Sequence, residues 1–208
     1  WLSALPAELY RDRPVLSVEL AGARMISGDV EGVGALLDDI EGWLDPGVDA
    51  SAAVVFDHEH FARLPAQVAI YRAALALIAG DTGATIEQAG RALELAGPDD
   101  HLQRGSAAAL VGLAEWAGGD IDAAVHHYTA AIDALTAAGH ISDVLGCSIA
   151  LADMRLVQGR SGDAQRALDA GLRLAEAHHV ARGPADMHVG LSEVLLERND
   201  LDGARRHL

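Results

Sequence analysis

Gly119-Asp120-Ile121-Asp122-Ala123-Ala124, followed by Tyr128 and Ala131, is the stretch that decides the fold. Glycine accepts the left-handed backbone that closes a helix, and the aspartate after it can cap the N–H groups that open the next one. Ala124, Tyr128 and Ala131 are spaced by four and three, so they share one face of that next helix. The stretch therefore predicts the corner of a helical hairpin. The same corner recurs outward from it at Gly28-Asp29, Gly80-Asp81, Gly159-Arg160 and Asn199-Asp200, at intervals of 52, 39, 40 and 40 residues. A period near 40 predicts a repeat architecture, in which each hairpin buries its apolar face against the next. The longer first interval holds an extra loop, Asp45-Pro46-Gly47-Val48-Asp49-Ala50-Ser51.

Fixed offsets from the corner carry fixed residue types. Seven residues before it stand Ala21, Ala73, Gly112, Ala152 and Ser192, all small. Five after it stand Val33, Thr85, Ala124, Ala164 and Ala204, and twelve after it Ile40, Ala92, Ala131 and Gly171. Leu37, Tyr128, Leu168 and Leu208 supply apolar residues nine after it. Small residues at matched points let two antiparallel helices approach closely. The first helices are predicted near 14–27, 65–79, 103–118, 142–158 and 184–198. The second helices are predicted near 30–44, 83–96, 121–138, 161–179 and 201–208. Pro14, Pro65 and Pro184 mark starts, where a missing N–H costs nothing, and Pro98 marks a stop. No segment alternates as a strand would. The expectation is an all-α, right-handed α-solenoid of about five helical hairpins in a single domain, 1–208. The opening without methionine and the end inside an apparent helix suggest a fragment of a longer protein, with its last repeat truncated.

Composition narrows the function. The 208 residues carry 31 acidic and 15 basic side chains, a net charge of −16, with 4% aromatic residues. The acidity runs through both halves, −10 over 1–104 and −6 over 105–208. With no basic face to neutralise phosphates, direct nucleic-acid binding by this segment is not expected, nor is an anionic membrane surface. Every basic residue is arginine, which excludes a phosphate-loop lysine or a Schiff-base lysine. No uninterrupted apolar run reaches 18 residues, so no membrane span is expected. Cys147 is the sole cysteine and cannot form an internal disulfide; a reducing, cytoplasmic setting is the expectation.

The Gly-Asp corner with small and aromatic residues at these offsets resembles tetratricopeptide (TPR) repeats, lengthened by some six residues each. Elongated repeats of this kind resemble the sensor domain of MalT-like regulators, the large ATP-dependent transcription activators of the LuxR family. Trp1-Leu2, Leu5-Pro6, Glu8-Leu9 and Arg13-Pro14 resemble the entry to that domain. Arg72-Ala73 with Ala76 and Gly80-Asp81 resembles a following repeat, and Leu191 to Leu201 a late one. The resemblance implies a non-catalytic segment of a transcriptional regulator that receives a protein partner or a small-molecule inducer and influences self-association. A generic TPR scaffold for protein assembly is the alternative.

No constellation for catalysis, metal or cofactor is expected. His58-Glu59-His60, His126-His127 and His178-His179 are neighbours in sequence, and adjacent helical residues point about 100° apart, so they cannot chelate as an i, i+4 pair does. Gly32-Val33-Gly34 has no strand before it and is read as lying inside a second helix. Cys147 reads as a small buried apolar residue, and no strand–turn–helix elbow surrounds any serine. In TPR-like repeats the first helices line the ligand groove. Counting back from each corner nominates Gln67, Ile70, Leu113, Trp116, Ile149, Asp153 and Glu193 for that groove, with Leu77, Leu156, Val189 and Leu196 at related positions. Trp116 offers a stacking platform, and Asp153 with Glu193 would suit a sugar or a cationic partner.

Overall fold

The computed structural model describes residues 5–45, 47 and 52–208. Trp1-Leu2 and most of the extra loop (46 and 48–51) lie outside the described residues. After a short 3-10 turn at Ala7–Leu9, the described chain is a succession of α-helices: α1 Pro14–Ile26, α2 Val33–Leu44, α3 His58–Ile78, α4 Thr82–Leu95, α5 His101–Ala117, α6 Ile121–Ala137, α7 Ile141–Val157, α8 Ser161–Ala177, α9 Pro184–Glu197 and α10 Leu201–Arg206. No strand occurs among the described residues. The chain forms two compact units, Trp1–Gly97 and Pro98–Leu208.

Each hairpin closes through the same local chemistry. Gly28, Gly80, Gly119, Gly159 and Asn199 all have φ between 58° and 89°. The residue after each donates its N–H back to the carbonyl five residues earlier, as in Asp120 to Glu115 at 2.9 Å and Asp200 to Leu195 at 2.9 Å. This satisfies a carbonyl that the helix end would otherwise leave bare. Asp81, Asp120 and Asp200 then cap α4, α6 and α10, accepting from the N–H of Ala84, Ala123 and Gly203. Asp120→Ala is expected to cost about 1 kcal/mol, within the 0.5–2 kcal/mol range of lost N-caps, as measured by urea unfolding.

At three of the four offsets that looked fixed in sequence, every residue is buried. Ala21, Ala73, Gly112, Ala152 and Ser192 are buried, as are Val33, Thr85, Ala124, Ala164 and Ala204, and Ile40, Ala92, Ala131 and Gly171. In unit 1, α1, α2 and α3 enclose Val18, Leu20, Leu37, Ile40, Leu64 and Val68. In unit 2, Tyr128 and Met154 centre one cluster, and Leu145, Leu168, Met187 and Leu191 another. Within each unit, consecutive hairpins interlock: α3 packs on both α1 and α2, α7 on α6, and α9 on both α7 and α8.

Several expectations need correction. Pro65 does not start a helix; α3 begins seven residues earlier, where Asp57 accepts from the N–H of His60, and Pro65 lies inside it. The cap and about two further helical turns outweigh the one backbone bond that proline removes. In the first repeat Asp29 is not the cap, because the chain adds a turn before α2. Gly32, with φ 72°, stands at the N-cap rather than inside the helix. Leu208, expected on a buried helical face, is 85% exposed beyond the end of α10. Finally, α3 is long and apolar enough by length and composition to cross a membrane. Here it is the helix that unit 1 packs around, with Leu64, Ala66, Val68, Ala69, Ile70 and Ala73 buried. Its Arg72 pairs with Asp38 and Glu41 of α2 at 2.5 and 2.7 Å.

Candidate functional site

The seven nominated residues fall in both units, and each set is described on its own. In unit 1, Ile70 is buried, which makes it a core residue of α3. Gln67, half-buried one turn before it, joins a polar chain. Its Oε1 lies 3.1 Å from His60 Nε2, and its Nε2 donates to the Tyr71 hydroxyl at 3.2 Å. His60 also approaches Glu19 of α1 at 3.5 Å. Burial pushes the Tyr71 phenol up, against the Gln67 hydrogen bond that lowers it, and the nearby Glu19 charge adds to the rise. Gly22 allows this arrangement, because a side chain there would run into the Tyr71 hydroxyl. Gln67 thus has its amide engaged on both sides within α3, and the link from this chain to α1 runs through His60 and Glu19.

In unit 2, Leu113, Asp153 and Glu193 occupy the equivalent place in three successive repeats, six residues before each corner. Asp153 is half-buried on α7 and Glu193 exposed on α9. The two are close enough that the Glu193 charge, after burial itself, raises the Asp153 carboxyl above its ordinary value. Neither carboxylate has an arginine or histidine partner among the described residues. The repeat period has thus set two uncompensated acids side by side on the first-helix face. Because Asp153 is harder to ionise in the fold than in the unfolded chain, its charge works against stability wherever it is ionised. The sign follows: Asp153→Asn should be more stable than the parent at pH 7, and that advantage should fade as pH falls towards about 4 and be absent below it, where the carboxyl is protonated in both states. Thermal melts across pH 3–8 would measure it.

Ile149, one turn before Asp153, faces a crevice of about 250 Å³ shared with Ser142, Leu145, Arg182, Gly183 and Asp186. Leu113 and Trp116 are half-buried and pack on the Ala124–Tyr128–Met154 cluster. Trp116 therefore works partly as a core residue; its indole N–H makes no hydrogen bond among the described residues. Sequence order did not reveal Arg182, which reaches the crevice from the α8–α9 connection. It could have been found from Gly183, a glycine directly before a helix-starting proline.

The histidines are distributed among separate contacts. His127 Nδ1 lies 2.7 Å from Glu115 Oε2, tying α6 to α5. His188 and His207 face each other with Nδ1 atoms 2.9 Å apart, a pairing across 19 residues that local spacing does not signal. Among the described residues, no group of three or more histidine, cysteine or acidic side chains is placed to hold a metal ion. Cys147 is half-buried beside Tyr128, and burial, with a smaller contribution from Asp143, pushes its thiol up to about 11. That is the opposite of what an activated nucleophile needs.

Comparison with known proteins places this geometry. No curated protein matches the chain. Among solved structures, the apo form of RapI superimposes with a TM-score of 0.70 at 10% identity, covering 93% of this chain and 67% of that one. A putative kinesin light chain from Podosopora anserina, with nearly identical TPR-like repeats, gives 0.62 at 13% identity over 93% and 92% of the two chains. The Rap conjugation gene regulator of the plasmid pLS20, in complex with the Phr* peptide, gives 0.54 at 12% identity over 94% of this chain and 62% of that one. At such identities the likeness is one of fold, a TPR-like helical repeat. The family model is more specific: residues 66–208, over two thirds of the chain, match the MalT-like TPR region, and the chain belongs to that family.

Proposed function

We propose that this chain is the non-catalytic sensing and interaction segment of a cytoplasmic MalT-like, LuxR-family regulator, and that the first-helix face of unit 2 receives its partner or inducer. The observation that carries the reading is the Asp153–Glu193 pair, two carboxylates on successive first helices without a cation of their own. Ionic groups held near each other at a cost are characteristic of recognition surfaces. An arginine, lysine or amine on the incoming molecule would relieve the repulsion, with Ile149 and Trp116 supplying apolar contact on either side. The structure of the plasmid pLS20 regulator with a peptide supports this mode of use for the fold. Occupation would favour whichever packing of the repeats binds better, and self-association of the regulator could then follow.

Panning a random dodecapeptide display library against the chain tests this. Enriched sequences should carry arginine or lysine, and their affinity should fall about tenfold or more in the Asp153→Asn/Glu193→Gln variant, the scale of losing charge-assisted bonds. Enrichment of uncharged or acidic peptides, or binding unchanged in the variant, would refute it. The likeness to kinesin light chain repeats favours a second reading, a scaffold that joins proteins and answers to no small inducer. For that reading, folded proteins rather than short peptides or metabolites would be the ligands that saturate the face.

A further inference from the structure

Unit 1 carries a second crevice, on the side where its second helices α2 and α4 flank α3. It is half-open and about 400 Å³ in volume, within the range of small-molecule sites. Its floor is Pro65 and Val68 of α3, and its apolar walls are Leu44 of α2 and Leu95 of α4. The position of Pro65 matters. Its ring lies in the middle of a helix, and the bond a normal residue 65 would make to the Phe61 carbonyl is missing. Leu95 is 46% exposed, an apolar side chain with one flank open.

The charged groups of the crevice stand on opposite walls. On α4, Arg91 makes no ion pair or hydrogen bond among the described residues. On α2, Glu41 gives only Oε2 to Arg72, at 2.7 Å, and just past the end of that helix Asp45 gives only Oδ1 to the Gly47 N–H, at 2.8 Å. Arg72 must serve Asp38 as well as Glu41, so the α2 wall keeps a negative excess while the α4 wall is positive at Arg91. An anion would have to approach a chain of charge −16, and a cation would meet Arg91. A molecule carrying both charges suffers neither penalty.

We infer that this crevice binds a small zwitterion with an apolar body, a short apolar peptide with free ends or a free apolar amino acid. Its carboxylate lies on Arg91, its ammonium against Glu41 and Asp45, and its side chain on Leu44, Val68 and Leu95. The guanidinium suits a carboxylate because its paired donors match the two oxygens.

The test is an amide NMR titration of the whole 208-residue chain with Leu-Leu, free leucine, N-acetyl-Leu-Leu and Leu-Leu amide. Leu-Leu or leucine should shift the Val68 and Leu95 amides saturably, and whichever of the two saturates first identifies the source. Each capped form should bind about tenfold more weakly. Arg91→Gln should erase the penalty of amidation, and Asp45→Asn should reduce the penalty of acetylation. Both replacements are on the surface. Should either disturb the fold, the capped and free ligands compared on the unaltered chain still decide. No saturable shift with either free-ended ligand up to about 10 mM, or equal affinity for free and capped forms, would overturn the inference.

Discussion

Tyr128→Ala is expected to destabilise unit 2 by about 3–5 kcal/mol, the range for removing a buried aromatic ring. The residue is 3% exposed and centres the cluster shared by α5, α6 and α7, with Val125, Met154 and Cys147 around it. Burial, and then the neighbouring Cys147, raises its phenol, so the ring meets apolar surroundings on most sides. Its partner across the hairpin is Gly112: a Cβ there would sit 2.6 Å from Tyr128 Cδ2 and 3.1 Å from the Ala124 carbonyl. The ring thus occupies the volume that the small residue of α5 leaves free. Gly112→Ala should be destabilising, although a glycine-to-alanine change in an unobstructed helix gains about 0.5–1 kcal/mol. In the Tyr128→Ala background most of that loss should vanish, because the clashing ring is gone. Urea unfolding of the two single variants and the double one would show costs well below additive. Additive costs would mean that the hairpin is not built on this contact.

Leu168→Ala should cost about 2–5 kcal/mol, with the loss confined to the α7–α8–α9 packing. Leu168 is fully buried among Leu145, Met187 and Leu191. Two glycines bound this cluster: Gly190, where a Cβ would lie 3.1 Å from Leu168, and Gly171, where it would lie 2.9 Å from the Met187 sulfur. With backbones this close the helices cannot move inward to fill a void, which favours the upper part of the range. Val157→Ala, 62% exposed at the end of α7, should change stability by less than about 0.5 kcal/mol. Hydrogen exchange would localise the difference, with α8 and α9 amides losing protection in Leu168→Ala and not in Val157→Ala.

These two residues also illustrate what the sequence makes legible. Tyr128 and Leu168 stand nine residues after their corners, and the corners are set by chemistry that acts within six residues: left-handed glycine or asparagine, then a returning N–H, then an aspartate cap. Local rules of that kind survive translation into sequence. The period does more, since it places residue n beside residue n + 40. Asp153 and Glu193 were for that reason readable as neighbours before any coordinates. Legibility fails where two local signals compete. Pro65 reads as a helix start, yet the cap at Asp57 opens α3 earlier and the proline is carried inside. It fails in the first repeat too, where an added turn ends at Gly32 and displaces the cap. It fails again for juxtapositions that neither spacing nor period encodes, such as His188 with His207, Arg72 with Asp38, and Arg91 lining one crevice with Glu41 and Asp45. The half-buried position of Trp116, part core and part surface, depends on how α5 rotates against α6, and a periodic pattern does not resolve that angle.

The central claim is that the first-helix face of unit 2 is where a partner binds. Amide NMR of the chain titrated with a peptide enriched from the dodecapeptide library tests it most directly. Shifts should concentrate on α7 and α9 around Ile149, Asp153 and Glu193, with the Trp116 indole responding and Asp153→Asn/Glu193→Gln abolishing the pattern. Shifts confined to α6 and α8, with Asp153 and Glu193 silent, would contradict it.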